Sequence, residues 1–316
     1  MATNSGRRRL AQARAQYSYE PAWAAEGGIA RDSMGFDRCT ARQHQFRALM
    51  ALLLLNNPNT PRCMVEPDDH RVIMDCGVSR LMYYSVAFSA QYDDFVILSN
   101  IPGHIVQPVI DRSKHEWTHG VPGLRRESLD EKNGWLLFRH LPTGAFLRFR
   151  YCNWHHPAHK KPRSLETVHF WETRCETPVT AEEERTLKTI PQMHPDSERL
   201  LSGLTARLWL FSKGEGWAVS GLIWNNIPRR RIDDGGYSFT YLWGDGIDWV
   251  LRWGGSGSVP AADVARALVH ERVGIEGASS FRVNANRWEV RLGVARIALE
   301  YRSHERRQDC NCGEMA

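Results

Sequence analysis

The sequence predicts an α+β chain made of two tandem copies of one strand-rich unit behind a basic, flexible N-terminal arm. Each copy reads as a helix, antiparallel hairpins, one further helix and a closing hairpin. Three observations predict this. Short runs rich in Val, Ile, Phe, Trp and Tyr sit between turn residues, which marks strands. The stretch Phe46, Leu49, Met50, Leu53 and Leu54 has the spacing of a helix face. Short matches also recur in one order about 150 residues apart.

Those matches begin with Tyr84-Ser85 and Tyr237-Ser238, at an offset of 153. Asp94 to Ile97 corresponds to Asp248 to Leu251 at 154, and His115-Glu116 to His270-Glu271 at 155. Gly123 corresponds to Gly277 at 154, Asn133-Gly-Trp135 to Asn286-Arg-Trp288 at 153, and Tyr151 to Tyr301 at 150. Any pleated, half-buried surface selects aromatic and β-branched residues, so the shared order carries the reading.

Residues 1–38 read as the arm, with Arg7-Arg8-Arg9 and no sustained apolar period. The first repeat covers 39–151. In it Thr40 caps a helix through Leu55, and strands follow at Arg62–Val65 and Arg71–Cys76. Hairpins are expected over Met82–Ser89 with Phe95–Ser99, and Trp135–Arg139 with Ala145–Tyr151, with a helix at Val109–His119 between them.

A polar connector spans 152–195. It holds a strand candidate at Glu166–Glu172 and a capping-box pattern at Thr180 and Glu183. The second repeat, 196–303, starts with a helix near Ser197, then strands at Arg207–Phe211 and Trp217–Trp224. A hairpin at Tyr237–Leu242 and Trp249–Trp253 follows, then a helix from Ser258 and Pro260 to about Arg272, stopped by Gly274. Strands at Phe281–Val283, Arg287–Leu292 and Arg296–Tyr301 close it, and 304–316 is a tail.

With 316 residues, 42% of them apolar and 24% charged, the chain is long enough for two cores. The longest apolar run, Leu49 to Leu55, is too short to span a bilayer, and no apolar segment follows the N-terminal arginines. An intracellular location, cytoplasm or nucleus, without a membrane partner is therefore expected. Seven cysteines in no regular framework fit a reducing compartment. Only six of the 41 basic residues are lysines. Guanidinium forks suit phosphates, carboxylates and aromatic faces, so an acidic partner is expected.

Four patterns carry candidate chemistry. His115-Glu116-Trp117-Thr118-His119 is an HExxH pattern and resembles the zincin metallopeptidase signature over these five residues. On a helix, His115 and His119 would share a face for Zn²⁺, with Glu116 as general base. Against it stands the second copy, where His270-Glu271 persists but Gly274 occupies the place of the second histidine. A histidine near a helix C-terminus is also explained by the helix dipole. Cys152, His155, His156, His159 and Cys175 offer ligand types for a structural zinc, at a spacing that matches no standard finger.

The third pattern is arginine clusters, Arg7, Arg8 and Arg9 in the arm and Arg229, Arg230 and Arg231 in a loop, either of which could grip phosphates. Charge runs are also ordinary solvated surface. The fourth is twelve tryptophans. Trp135, Trp249 and Trp288 read as core; Trp243 and Trp253 flank one hairpin, where an exposed ring would favour a protein interface or base stacking, and core is the default for them too.

Phosphate-loop, dinucleotide, nucleophile-elbow and kinase motifs do not occur in the chain. The expected function is a non-enzymatic binding protein whose duplicated units engage nucleic acid or a protein partner, such as a viral accessory or regulatory factor. The alternatives are a zinc-dependent hydrolase centred on Glu116 and a structural, capsid-like assembly protein.

Overall fold

The computed structural model describes residues 4–56, 85–100, 106, 109, 120–130, 132–152, 177–220, 222, 239–255 and 258–302. Among these, six helices and three sheets occur. The first half contains α1 (Asn4–Tyr17), α2 (Ala22–Gly28) and α3 (Ala41–Leu54), then β1 (Ser85–Ala90), β2 (Asp94–Ser99), β3 (Leu124–Asp130), β4 (Trp135–His140) and β5 (Ala145–Tyr151). The second contains α4 (Ala181–Lys188), α5 (Pro195–Arg207), the two-residue strands β6 (Phe211–Ser212) and β7 (Trp217–Ala218), β8 (Phe239–Gly244), β9 (Asp248–Gly254), α6 (Ala261–Leu268), β10 (Ser279–Arg282), β11 (Arg287–Leu292) and β12 (Ala295–Arg302).

The two large sheets repeat one topology. Their strand orders are β1-β2-β5-β4-β3 and β8-β9-β12-β11-β10, with a single parallel pair in each, β2 with β5 and β9 with β12. Hydrogen bonds between the strands repeat as well. Gln91 N–H donates to the Asp94 carbonyl (3.0 Å) and Asp245 N–H to that of Asp248 (3.1 Å). Tyr151 N–H reaches Gly134 (2.9 Å) and Tyr301 N–H reaches Asn286 (3.0 Å). Gly123 and Gly277 take φ of 79° and 81°, the first immediately before β3 and the second two residues before β10, a conformation that costs little only without a Cβ.

This alignment corrects one sequence match. Gly134, not Asn133, corresponds to Asn286, so Trp135 corresponds to Arg287 and not to Trp288. A slip of one residue in a strand moves a side chain to the other face. Trp288 packs against the core, whereas Trp135, expected there, lies half-buried on the outer face.

A helix pair joins the halves. The α3 sequence, ARQHQFRALMALLL, is buried on nearly every side, because α5 lies against one flank and the sheets against the others. Thr205 Oγ1 donates to the Arg47 carbonyl at 2.8 Å across the pair. Each helix runs out against the other half. Asn56 exchanges two hydrogen bonds with the Leu242 backbone on β8 (2.9 and 3.0 Å), while Trp209 meets Phe88 on β1 edge-to-face. One apolar core therefore runs through Phe46, Leu53, Phe138 and Leu147, then Leu204, Leu251, Val290 and Ile297.

Several expectations are corrected. The expected flexible arm is instead helical from Asn4, with Ala11 and Arg14 buried. Arg14 on α1 is fully buried, paired with Glu20 at 2.6 Å, bonded to the Gly28, Met34 and Ala90 carbonyls and stacked over Phe36 at 4.3 Å. A flexible segment cannot supply a buried ion pair, since each charge must be matched on desolvation. The apolar run Arg207–Phe211 is not a strand. The α5 helix continues to Arg207, and only Phe211–Ser212 is extended, because short apolar runs fit either period. Both Trp243 and Trp253 are buried, in keeping with the core default. β3, with five polar or charged residues among its seven, was not expected from the alternation rule; it is a bulged edge strand.

In the connector, α4 carries the capping box. Thr180 Oγ1 accepts from Glu183 N–H at 3.2 Å, and Glu183 accepts from Thr180 N–H at 2.8 Å. The same carboxylate accepts from Arg125 on β3 (2.7 and 2.9 Å) and from Gly123 N–H (2.9 Å), so α4 is latched onto the edge of the first sheet. Arg62–Val65, Arg71–Cys76 and Glu166–Glu172 lie outside the described residues, as does all of Val109–His119 except Val109, which is helical.

Candidate nucleic-acid interface on the first sheet

The alternation Ala145-Phe-Leu-Arg-Phe-Arg150 divides β5 between two environments. Ala145, Leu147 and Phe149 enter the core, and Phe146, Arg148 and Arg150 face outward. β4 pairs antiparallel, which places Trp135 opposite Arg150, Leu137 opposite Arg148 and Arg139 opposite Phe146. The inner face against α3 is thus aliphatic and aromatic. The outer face alternates guanidinium with aromatic rings.

α2 covers only part of that outer face. Ala24 packs with Ala87, Val96, Leu98 and Cys152 above β1 and β2, leaving the side chains of β5 and β4 reachable by solvent. At the boundary Trp23, 38% exposed, lies under the Arg150 guanidinium at 3.7 Å. Arg148 lies over Trp135 at 4.9 Å, and Arg42 from α3 over Phe146 at 5.6 Å. Three guanidinium–ring pairs therefore stand on one face. Each contributes about 0.5–1 kcal/mol at exposed sites and restricts both side chains.

The charges on this face are not fully balanced. Arg148 pairs with Asp94 at 2.6 Å and Arg42 with Asp93 at 3.4 Å. Arg139 and Arg150 have no carboxylate within ion-pair distance among the described residues. Partial burial, followed by the like charge of Arg148, lowers the Arg150 pKa, as expected for a cation without a counter-ion.

The equivalent face of the second sheet differs. Arg287 and Glu300 replace Trp135 and Arg150, and Glu289 replaces Leu137. Arg252 pairs with Glu300 at 2.7 Å, Arg287 with Glu300 at 3.2 Å and Arg291 with Glu289 at 2.6 Å. These arginines already have carboxylate partners. Phe239, Tyr241 and Trp243 on β8 are all buried. The second sheet has guanidinium–ring pairs as well, Arg291 over the exposed Phe281 at 4.4 Å and Arg252 over Trp243 at 5.0 Å, but these arginines are paired with carboxylates. Among the described residues facing outward on the two sheets, those without a carboxylate partner, Arg139 and Arg150, are on the first.

In a second cluster the guanidinium of Arg207 is matched internally. A cleft of about 470 Å³ lies between residues 32–38 and 269–278. At its base Arg207 makes a two-pronged pair with Asp37 (2.7 Å each) and donates to the Gly203, Val273 and Gly274 carbonyls. Burial would raise the Asp37 carboxyl, but Arg207 overrides it and holds it below its usual value. Nearby, Cys39 shares a hydrogen bond with Ser202, whose hydroxyl lies 3.2 Å from His44 Nδ1. Burial pushes the Cys39 thiol up, and burial with the Arg47 charge pushes His44 down, so both are neutral near pH 7. A nucleophilic cysteine needs the opposite shift.

His270 lies two residues past α6, near a helix end. Its Nδ1 accepts from Arg272 N–H at 3.1 Å, so in the neutral ring Nε2–H donates to Glu215 at 2.8 Å. The ring packs between Tyr17 and Trp217, and Glu271 points to solvent. His115, Glu116 and His119 lie outside the described residues, as do His155, His156, His159, Cys175, Arg229, Arg230 and Arg231. Cys152 is buried in the small cluster beneath α2, with its thiol pKa raised by that burial. Among the described residues no group of three or more His, Cys, Asp or Glu side chains is placed to hold a metal.

Of the sequence-level arginine candidates, Arg7, Arg8 and Arg9 are exposed on α1. The structure does not bring them to the sheet by any hydrogen bond or ion pair among the described residues. Arg139, Arg148, Arg150, Phe146 and Trp23 were not singled out from sequence. The signal was present in the strict alternation of Phe146, Arg148 and Arg150 with apolar neighbours. No helix among the described residues is long and apolar enough to cross a membrane. No family model, curated protein or solved structure matches the chain.

Proposed function

We propose that the chain is a non-enzymatic binding protein that holds nucleic acid on the outer face of its first sheet. The observation that carries this reading is the set of three guanidinium–aromatic pairs, one of whose arginines, Arg150, has no carboxylate partner among the described residues, as neither has the neighbouring Arg139. Phosphates attract the uncompensated cations, and bases have planar partners on the same surface. Tandem duplication of one unit accounts for the architecture. One copy keeps the open cationic face, and the other carries matched charges and contributes to the shared core.

The test is fluorescence anisotropy of a labelled oligonucleotide titrated with the full chain at several salt concentrations. Two neutralised phosphates give a slope of log K against log salt of roughly −1.4 for a single strand. Arg139→Gln with Arg150→Gln should flatten that slope and weaken binding. Absence of binding at low salt overturns the reading.

A further inference from the structure

We infer that the nucleic acid bound is single-stranded, and that three successive bases are held on the planes along β5. This rests on the binding reading above and adds the form of the ligand. Phe146, Arg148 and Arg150 lie on one face of a strand, two residues apart. Their side chains therefore follow one another at roughly 6.6 Å. Bases in a duplex stack about 3.4 Å apart, so a continuous stack has no gap that admits a protein plane between neighbours. A strand with unstacked bases does.

The pairing of each ring with a guanidinium strengthens the inference. Arg150 lies on Trp23, Arg148 on Trp135 and Arg42 on Phe146. Whichever member of a pair faces solvent, the exposed plane is one on which a base stacks, since both aromatic and guanidinium planes serve. An acidic peptide would use the charges but leave these planes without a partner. Arg139, exposed beside Phe146, is placed for a phosphate at one end of the row. The second sheet lacks the row, since Arg296, Ala298 and Glu300 occupy the three β12 positions that correspond to Phe146, Arg148 and Arg150.

The experiment compares a labelled single-stranded oligonucleotide, the same sequence as a duplex, and a polyglutamate peptide. Each is titrated against the full chain and against Trp135→Ala, Trp135→Phe and Arg291→Gln. The expected result is preference for the single strand. Trp135→Ala loses roughly 5- to 100-fold in affinity for it, the range for one base–aromatic stack. Trp135→Phe retains most of the affinity, which separates loss of the ring from loss of the fold. Arg291→Gln, on the second sheet, binds as the parent does. Equal affinity for duplex and single strand, unchanged by Trp135→Ala, overturns the stacking inference and leaves the binding reading standing. Polyglutamate binding as tightly as the oligonucleotide overturns the inference in favour of an acidic protein segment. If no polyanion binds, the binding reading itself fails.

Discussion

Acidification to pH 5 should destabilise the first half of the molecule in large part through His140. Its ring is 1% exposed, packed on Phe46 at 5.1 Å between ring centres. Nε2 lies 3.0 Å from the Pro122 carbonyl and Nδ1 2.8 Å from Thr143 Oγ1, which fixes a neutral ring with its proton on Nε2. Burial lowers the pKa from 6.5 to about 4, opposed by the Pro122 carbonyl and the Glu183 charge. Because the folded value is the lower one, the unfolded chain takes up the proton first as pH falls. Stability is then lost between pH 6.5 and 4, and this group contributes no further loss below that.

The full span corresponds to about 3 kcal/mol, and by pH 5 about 2 kcal/mol is gone. With a urea m value near 3 kcal/mol/M, the midpoint should drop by about 0.7 M between pH 7.5 and 5. Urea titrations of the parent and of His140→Gln isolate this residue, since the other histidines are common to both. The variant is expected to be weaker at pH 7.5 but to lose less on acidification. Glu183 does not enter the measured range of pH 7.5 to 5. Burial would raise it, but the Arg125, Thr180 and Gly123 hydrogen bonds hold it at about 2, so its stabilisation is present above 4.5 and fades only as pH falls toward 2. Equal midpoint shifts in parent and variant would refute the assignment.

Two further outcomes follow from the packing. Arg14→Ala leaves Glu20 buried without its cation and should cost about 3–5 kcal/mol in urea denaturation, whereas replacing Arg14 and Glu20 together by Met and Leu should cost less. Gly123→Ala and Gly277→Ala share the strain of a positive φ, about 1–2 kcal/mol. Only at Gly123 would the new Cβ meet a neighbour, Pro142 Cδ at 2.6 Å, while at Gly277 the nearest atom is 3.6 Å away. The first variant should therefore melt at the lower temperature.

Local pattern made part of this molecule legible. Trp135–Arg139 is a short apolar and aromatic run and Ala145–Arg150 places apolar residues at every second position, on either side of a Pro-Thr-Gly turn, and the structure has strands at Trp135–His140 and Ala145–Tyr151. The repeat was visible because Asp94 and Asp248 open strands with the same turn hydrogen bond, and because Gly123 and Gly277 need the same φ. What failed depended on distant partners. Residues 1–38 look polar and aperiodic because Arg14 is matched by Glu20, Phe36 and the Ala90 carbonyl, none of which a local period reveals. β3 is hidden for the same reason, since Arg125 faces Glu183, 58 residues away. Trp135 reads as core from its place in a strand, but the backbone register, which aligns Gly134 with Asn286, puts it on the outer face.

Photocrosslinking tests the central claim most directly. A single-stranded oligonucleotide carrying a photoreactive base would be irradiated with the full chain, and the adducts located by mass spectrometry of peptides. Adducts on Trp23, Trp135 or Phe146 are the predicted result. Adducts confined to Arg7–Arg9 or to the second sheet, with none on β4 or β5, would contradict the account.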